Sequence, residues 1–190
     1  MELKEIYSTL SNHMITGMMI HEELANYYDF LGLKGYKRCH EYHFYKETMN
    51  YRSLCRYFIN HHSMLIPDTR IETPSVIPES WYSHVREDVD SATKKNGVKA
   101  GLQKWVQWER DTKKLYEQMY KELMDIDEVA SAMKIKCFIA DVDCELKNAE
   151  RYWLNKEAMG YDMTAIIEEQ GRKHKKYQKK CEEELHINLC

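Results

Sequence analysis

The prolines are confined to one short part of this chain. All three prolines, Pro67, Pro74 and Pro78, lie between residues 63 and 80. Proline lacks a backbone donor and disfavours a helical conformation in the residue before it. The 190 residues include only seven glycines. Such scarce turn chemistry argues against an all-β sandwich or barrel and predicts long helices on both sides of one extended segment.

Composition and charge narrow the class of protein. The chain is 43% hydrophobic and 31% charged, which is typical of a globular domain with its own core. The formal net charge of −3 gives no general signal for nucleic-acid binding, and we expect no membrane partner because no apolar run is long enough to span a bilayer. The six cysteines form no CxxC pair, so we expect reduced thiols and a cytoplasmic location.

Apolar and aromatic residues recur at helical spacings of three or four along most of the chain. The breaks at 32–35 and 125–128 are short enough to join antiparallel neighbours, whereas residues 63–80 could cross the full length of a bundle. We therefore predict an all-α fold: an up-down-down-up four-helix bundle over residues 1–159 with a long crossover. An additional C-terminal helix within residues 160–190 completes a single domain.

Three helix boundaries can be predicted more closely. The third helix is expected to begin at Trp81 or shortly after, with a weak point at Asn96-Gly97. Asp127 is expected to cap the fourth helix, and Asp162 or Thr164 the fifth.

Three glutamates stand near the centre of the inward face of three different predicted helices: Glu47, Glu109 and Glu145. Burying an unpartnered carboxylate costs several kcal/mol, so three at one level of a core need a cation or shared protons. Inward carboxylates hold dinuclear metal centres in helical bundles. A metal site is one interpretation; a partly protonated polar network with nearby tyrosine or lysine is the other.

Several dispersed motifs resemble those of one family. Gly35-Tyr36 opens the second helix, Glu47-Thr48-Met49-Asn50 follows twelve residues on, and Ile71-Glu72-Thr73-Pro74 marks an extended exit. Trp108-Glu109 and Phe138-Ile139 fit the third and fourth helices. Over roughly residues 5–158 the chain resembles the ferritins. The resemblance implies a ferritin-like bundle, iron as the bound metal, iron oxidation or storage, and a homo-oligomer.

The resemblance also implies a degenerate ferroxidase centre. Counted without gaps from Gly35, Met14 occupies the position of the first-helix glutamate, and Asn50 that of the histidine in Glu-x-x-His. Methionine is a soft, poor ligand for iron, so weak or absent ferroxidase activity is expected. The metal ligands that remain are Glu47, Glu109, Glu145 and Asn50.

A second set of candidate ligands is rich in histidine. His21 on the first helix should lie within a turn or two of His40 and His43 if the hairpin turns at 32–35. With Glu47 or Glu22 these imidazoles could form a displaced site for zinc, copper, iron or nickel. The alternative is a set of core-edge histidines hydrogen-bonded to tyrosine hydroxyls.

Three functions remain open from the sequence. The first is a ferritin-like iron-binding protein, although the fifth helix, longer and more basic than that of ferritins, argues against the usual cage. The second is a structural or interaction bundle that has lost its metal, and the third is a diiron oxidase with the displaced site. The basic run Arg172–Lys180 is expected to be a solvated helix face, with contact to an acidic partner as the alternative.

Overall fold

The structure, a computed structural model, describes residues 1–66 and 89–186 and contains five helices in that part of the chain. They are α1 (Leu3–Phe30), α2 (Lys34–His62), α3 (Ser91–Asp125), α4 (Val129–Ala158) and α5 (Met163–Glu184). The described residues include no β-strand, which confirms the all-α prediction. Most of the predicted crossover at 63–80, and the expected helix start near Trp81, lie outside the described residues.

The helix directions are those of an up-down-down-up bundle. The short links after α1 and α3 make the antiparallel pairs α1–α2 and α3–α4. Tyr28 near the end of α1 lies against Gly101 near the start of α3, so these two helices are also antiparallel. His62 at the end of α2 bonds Ser131 at the start of α4 (3.1 Å). This arrangement matches the predicted topology.

Helix α5 folds back along α2. The Gln170 side-chain carbonyl accepts a hydrogen bond from the Gly35 backbone N–H (2.7 Å). Seven residues further along both helices, the ring centroids of Tyr177 and Tyr42 lie 5.7 Å apart. Because contacts advance together along both helices, α5 runs parallel to α2. The fifth helix is therefore packed on the bundle.

The basic run in α5 is not a uniformly solvated face. Lys173 is buried, and its ammonium lies 3.8 Å from the ring centroid of Tyr36 and 3.5 Å from that of Tyr152. A cation over aromatic faces is attracted by their quadrupoles, which offsets part of the cost of desolvation. Burial nevertheless lowers the pKa of Lys173 to about 8.

The predicted boundaries are partly right. Asp162 caps α5 as expected, accepting a hydrogen bond from the Ala165 N–H (2.9 Å). Asp127 does not cap α4: it adopts a left-handed conformation (φ 60°), which aspartate tolerates in a tight turn, and Glu128 takes the cap position. Helix α3 continues through Asn96-Gly97 without a break.

Apolar side chains form two clusters at opposite ends of the bundle. The cluster near the α1–α2 link includes Leu24, Tyr28, Tyr36, Leu102 and Trp105. The cluster at the other end includes Leu10, Met14, Leu54, Phe58 and Tyr116. Glu47, Glu109 and Glu145 lie between the two clusters along α2, α3 and α4, and His21 and His40 lie at the inner edge of the first cluster.

Two further observations concern the described residues alone. Cys39, Cys55, Cys137, Cys144 and Cys181 are all free thiols. No helix in this part of the chain is long and apolar enough to span a membrane.

Gly101 allows α1 and α3 to approach, and this generates a stability prediction. A Cβ at Gly101 would lie 2.7 Å from Cζ of the buried Tyr28, whereas one at Gly171 in α5 would meet no atom within 4 Å. We expect Gly101→Ala to lower the free energy of unfolding by about 1–3 kcal/mol through overpacking, despite the helix propensity of alanine. Gly171→Ala should raise it by about 0.5–1 kcal/mol.

Urea unfolding followed by circular dichroism measures both changes, with Gly171→Ala as the matched control for helix propensity. A Gly101→Ala protein as stable as the wild type would contradict the close packing of α1 on α3.

Candidate metal centre

Three buried histidines meet where α1 packs on α2. His40 and His43 are three residues apart on α2 and so share one face of it, opposite His21 on α1. The ring centroid of His21 lies 5.3 Å from that of His40 and 5.2 Å from that of His43. The predicted proximity of these three side chains is therefore present in the structure.

All three imidazoles are held in the neutral form. Burial lowers the pKa of His21 to about 3, and burial together with neighbouring positive charge lowers the pKa of His40 and His43 well below the usual value. Neutral imidazole is the form that binds metal ions. The cluster is thus in a ligand-competent state at neutral pH.

Glu109 brings a carboxylate from α3 to the same point. Its Oε1 lies 3.9 Å from Nε2 of His21 and accepts a hydrogen bond from Nε1 of Trp105, one turn earlier on α3 (2.8 Å). One donor atom each from His21, His43 and Glu109 lie within 4.8 Å of one another. We call this group the His21–His43–Glu109 triad.

Glu47 lies one turn beyond His43 on α2 and is also buried. Its Oε2 makes no hydrogen bond with any described residue. Burial, and next the charge of Glu145, raise the pKa of Glu47 to about 8. Burial, Glu145 and Glu47 likewise raise the pKa of Glu109 well above the usual value. The carboxyl groups are therefore close enough to influence one another's ionisation.

Glu145 on α4 has a different environment because it has a cationic partner. Nζ of Lys46, on α2, donates a hydrogen bond to Glu145 Oε1, and Nδ1 of His43 lies 3.7 Å from the same oxygen. Burial raises the pKa of Glu145, while the Lys46 ammonium opposes that rise. A side-chain cation thus already balances the carboxylate on the α4 side.

Helix α1 contributes no carboxylate to this group among the described residues, because Glu22 lies towards the surface and accepts a hydrogen bond from Asn26 (3.3 Å). Met14 is packed in the apolar cluster with Leu10 and Leu54. Gly17 comes next on this face, and a Cβ there would lie 3.0 Å from Trp108 and 3.5 Å from the Glu47 side chain. The first ligand-bearing residue that α1 offers here is therefore the imidazole of His21.

The structure joins the two sets of candidate residues that the sequence treated as alternatives. Donor atoms of His21 and His43 lie within 4.8 Å of Glu109, and Glu47 follows His43 by one turn of α2, so the histidine set adjoins the carboxylates. Asn50 is half-buried one turn beyond Glu47, and no hydrogen bond joins it to these side chains.

His40 lies behind the triad. Its Nδ1 shares a hydrogen bond with Nδ1 of His21 (3.1 Å), and its ring stacks on Tyr28 with centroids 5.3 Å apart. The hydrogen bond expected from a tyrosine hydroxyl is absent at His40 among the described residues, because the Tyr28 ring stacks on the imidazole and the Tyr28 hydroxyl has no partner. His40 therefore supports His21.

The donor set fits a single divalent transition metal. Atoms bound to one metal at roughly 2.0–2.2 Å lie about 3–4 Å apart, close to the spacing within the triad. Both ring nitrogens of His43 lack a hydrogen-bond partner among the described residues, as does one oxygen of Glu47. Imidazole with carboxylate suits iron and zinc among the common metals.

Two residues of this site were not found from the sequence. Trp105 is four residues before Glu109, a spacing that places its indole N–H over the carboxylate. Lys46 is next to Glu47 but points to another helix, so its contact with Glu145 left no signal in the sequence.

Solved structures similar to this one include archaeal ferritins. An engineered closed form of the Archaeoglobus fulgidus ferritin has a TM-score of 0.74 and 16% identity, covering 92% of this chain and 96% of that chain. The open-pore ferritin of that hyperthermophilic archaeon has a TM-score of 0.73 and 17% identity, covering 90% of this chain and 93% of that chain. A humanized archaeal ferritin has a TM-score of 0.75 and 15% identity, covering 92% of this chain and 97% of that chain. No protein-family model and no curated protein matches the sequence. The fold is ferritin-like, as the sequence predicted.

The raised pKa of Glu47 predicts how stability depends on pH in chelator-treated protein. Between the ordinary value of 4.5 and about 8, the unfolded chain has released this proton while the folded chain retains it. Stability should therefore fall as pH rises, by about 1.4 kcal/mol per pH unit for one retained proton. We expect Glu47→Gln to lose this contribution and to be more stable than wild type at the upper end of the window.

Urea unfolding above about pH 6.5, where histidine is neutral in both states, measures the slope. Replacement of the exposed Glu117 by Gln is the control and should leave the slope unchanged. Equal slopes for wild type and Glu47→Gln would show that Glu47 is ionised in the folded protein.

Proposed function

We propose that this protein binds iron as Fe(II) at the middle of its helical bundle. The observation that carries the proposal is the His21–His43–Glu109 triad, whose donor atoms converge within 4.8 Å in a buried site. Glu47 is the fourth donor in this proposal, since its Oε2 has no hydrogen-bond partner among the described residues and its charge raises the pKa of Glu109. The ferritin-like fold supports iron over other divalent metals. In this proposal the iron is a substrate or a stored ion and not a permanent cofactor.

His40 orients the His21 ligand in this proposal. A metal-binding imidazole usually donates its other ring N–H to a neighbour, which fixes the tautomer and the ring orientation. With iron at Nε2 of His21, the Nδ1–H of that ring donates to Nδ1 of His40 (3.1 Å). His40 then acts as a positioning residue for His21.

The proposal is for one iron ion per chain. A second ion would need Glu145, whose charge is balanced by Lys46, and a carboxylate on α1, where Met14 lies in the apolar cluster. Asn50 is a weak neutral ligand at best. Because a diiron pair needs these donors, we expect Fe(II) oxidation by oxygen to be slow or absent.

We also propose a homo-oligomer and a cytoplasmic location. The ferritin-like fold supports the first, and size-exclusion chromatography with light scattering would test it. The free thiols of the described cysteines support the second.

A metal-free structural bundle is the second candidate function. The observation in its favour is the Lys46–Glu145 pair, which together with protonated Glu47 and Glu109 could balance the core without a metal. A binding experiment separates the two candidates.

We predict that anaerobic titration of chelator-treated protein with Fe(II), or with Co(II) as a spectroscopic probe, saturates at one ion per chain. His21→Gln or His43→Gln should weaken binding at least about 10-fold, because losses of supporting residues alone cost about 10–100-fold. The matched control is His13→Gln: His13 is stacked on Trp108 and bonded to Thr112 (2.7 Å), outside the triad.

Three outcomes would change the assignment. Two ions per chain would favour a diiron oxidase, and no saturable binding would favour the structural bundle. Equal weakening by His13→Gln would show that the triad is not the binding site.

A further inference from the structure

A basic cleft opens on the side of the bundle where α5 covers α2 and α4. It has a volume of about 420 Å³, which is within the usual range for small-molecule sites. Its charged lining residues are Lys46, Lys147, Arg151, Lys176, Lys180 and a single carboxylate, Glu145. Among the described residues, five cations therefore face one anion across the cleft.

Some of these cations are already paired. Lys46 bonds Glu145, Lys147 bonds Asp143, and Lys180 lies 3.4 Å from Glu184. The two other cations of the lining, Arg151 and Lys176, form no ion pair with a described residue.

Arg151 on α4 and Lys176 on α5 have only neutral partners. Arg151 donates to Oδ1 of Asn148 (2.8 Å), and Lys176 to the hydroxyl of Tyr152 (3.3 Å). No described carboxylate lies within 4 Å of either charge. The pKa of Lys176 is lowered by burial, and to a smaller extent by the charges of Lys180 and Arg151. Positive charge is thus concentrated where α4 and α5 meet.

The inner part of the cleft is aromatic and polar. Tyr177 lies on this lining, and its hydroxyl accepts a hydrogen bond from the Asn148 amide (3.2 Å). His43 also lines the cleft, and it is buried. The lining therefore combines charged groups at its edge with hydrogen-bonding side chains further in, as in sites that fix the orientation of a small ligand.

We propose that this cleft binds a small oxyanion with two negative charges, of the phosphate or dicarboxylate type. Arg151 provides a planar fork that matches such groups bidentately, and Lys176 provides a second charge from the opposite helix. The site goes beyond the proposed iron site: only His43 belongs to both, and anion binding requires no metal.

The test is isothermal titration calorimetry on chelator-treated, full-length protein at constant ionic strength. Inorganic phosphate and succinate are the two probes. We expect saturable binding of one anion per chain, and a loss of at least about 10-fold in affinity in the double variant Arg151→Gln/Lys176→Gln, since two charge-assisted contacts are removed.

The matched control removes two charges elsewhere. Arg52 and Arg56 border a smaller depression of about 220 Å³ on α2, lined also by Met49 and Ser53. Arg52→Gln/Arg56→Gln changes the net charge by the same amount and should bind the probes like the wild type. Circular dichroism spectra of both variants confirm that they are folded.

Each outcome has a defined meaning. Tighter binding of phosphate assigns a phosphate-type ligand, and tighter binding of succinate a dicarboxylate. Absence of saturable binding for both probes would overturn the proposal, as would an equal loss in the Arg52/Arg56 variant. Because no metal is present, the result is independent of the Fe(II) titration.

Discussion

The structure depends on a polar layer buried in the middle of the bundle. Apolar clusters on both sides hold the helices together, so three imidazoles and the carboxyl groups of Glu47 and Glu109 are buried. Burying their charged forms would cost several kcal/mol each. Burial therefore keeps the histidines neutral and raises the pKa of Glu47, while Trp105 and Lys46 partner Glu109 and Glu145. The same layer supplies the donor atoms of a metal site.

Helix α5 forms one wall of the basic cleft. It buries Tyr177 and Lys173 against α2 and α4, with the Lys173 ammonium over the rings of Tyr36 and Tyr152. This packing brings the basic side of α5 to the edge of α4, where Lys176 and Arg151 line the cleft. A charged surface helix thus becomes the wall of a candidate ligand site because one of its lysines packs inward.

The sequence predicted most of the residues that belong to the candidate site, but it did not predict which of them lie close together. The helical spacing placed Glu47 and Glu109 inward, and both are buried. The histidines were expected to form a displaced site with Glu47 or Glu22, yet Nε2 of His21 lies 3.9 Å from Oε1 of Glu109. The distance between them depends on how α1 and α3 pack, and Gly97 and Gly101 allow a close approach that spacing along one helix does not reveal.

In the described part of the chain, the sequence by itself determined the number and order of the helices and most of their ends, because proline, glycine and apolar periodicity act within a few residues of one another. The start of α3 at Ser91 was not predicted. The sequence also determined which residue types face inward. Only the tertiary structure decided these pairings: Lys46 with Glu145, His21 with Glu109, and Lys173 with Tyr36 and Tyr152. Each pairing joins different helices, so it depends on their relative rotation and register, which are set by packing of the whole core.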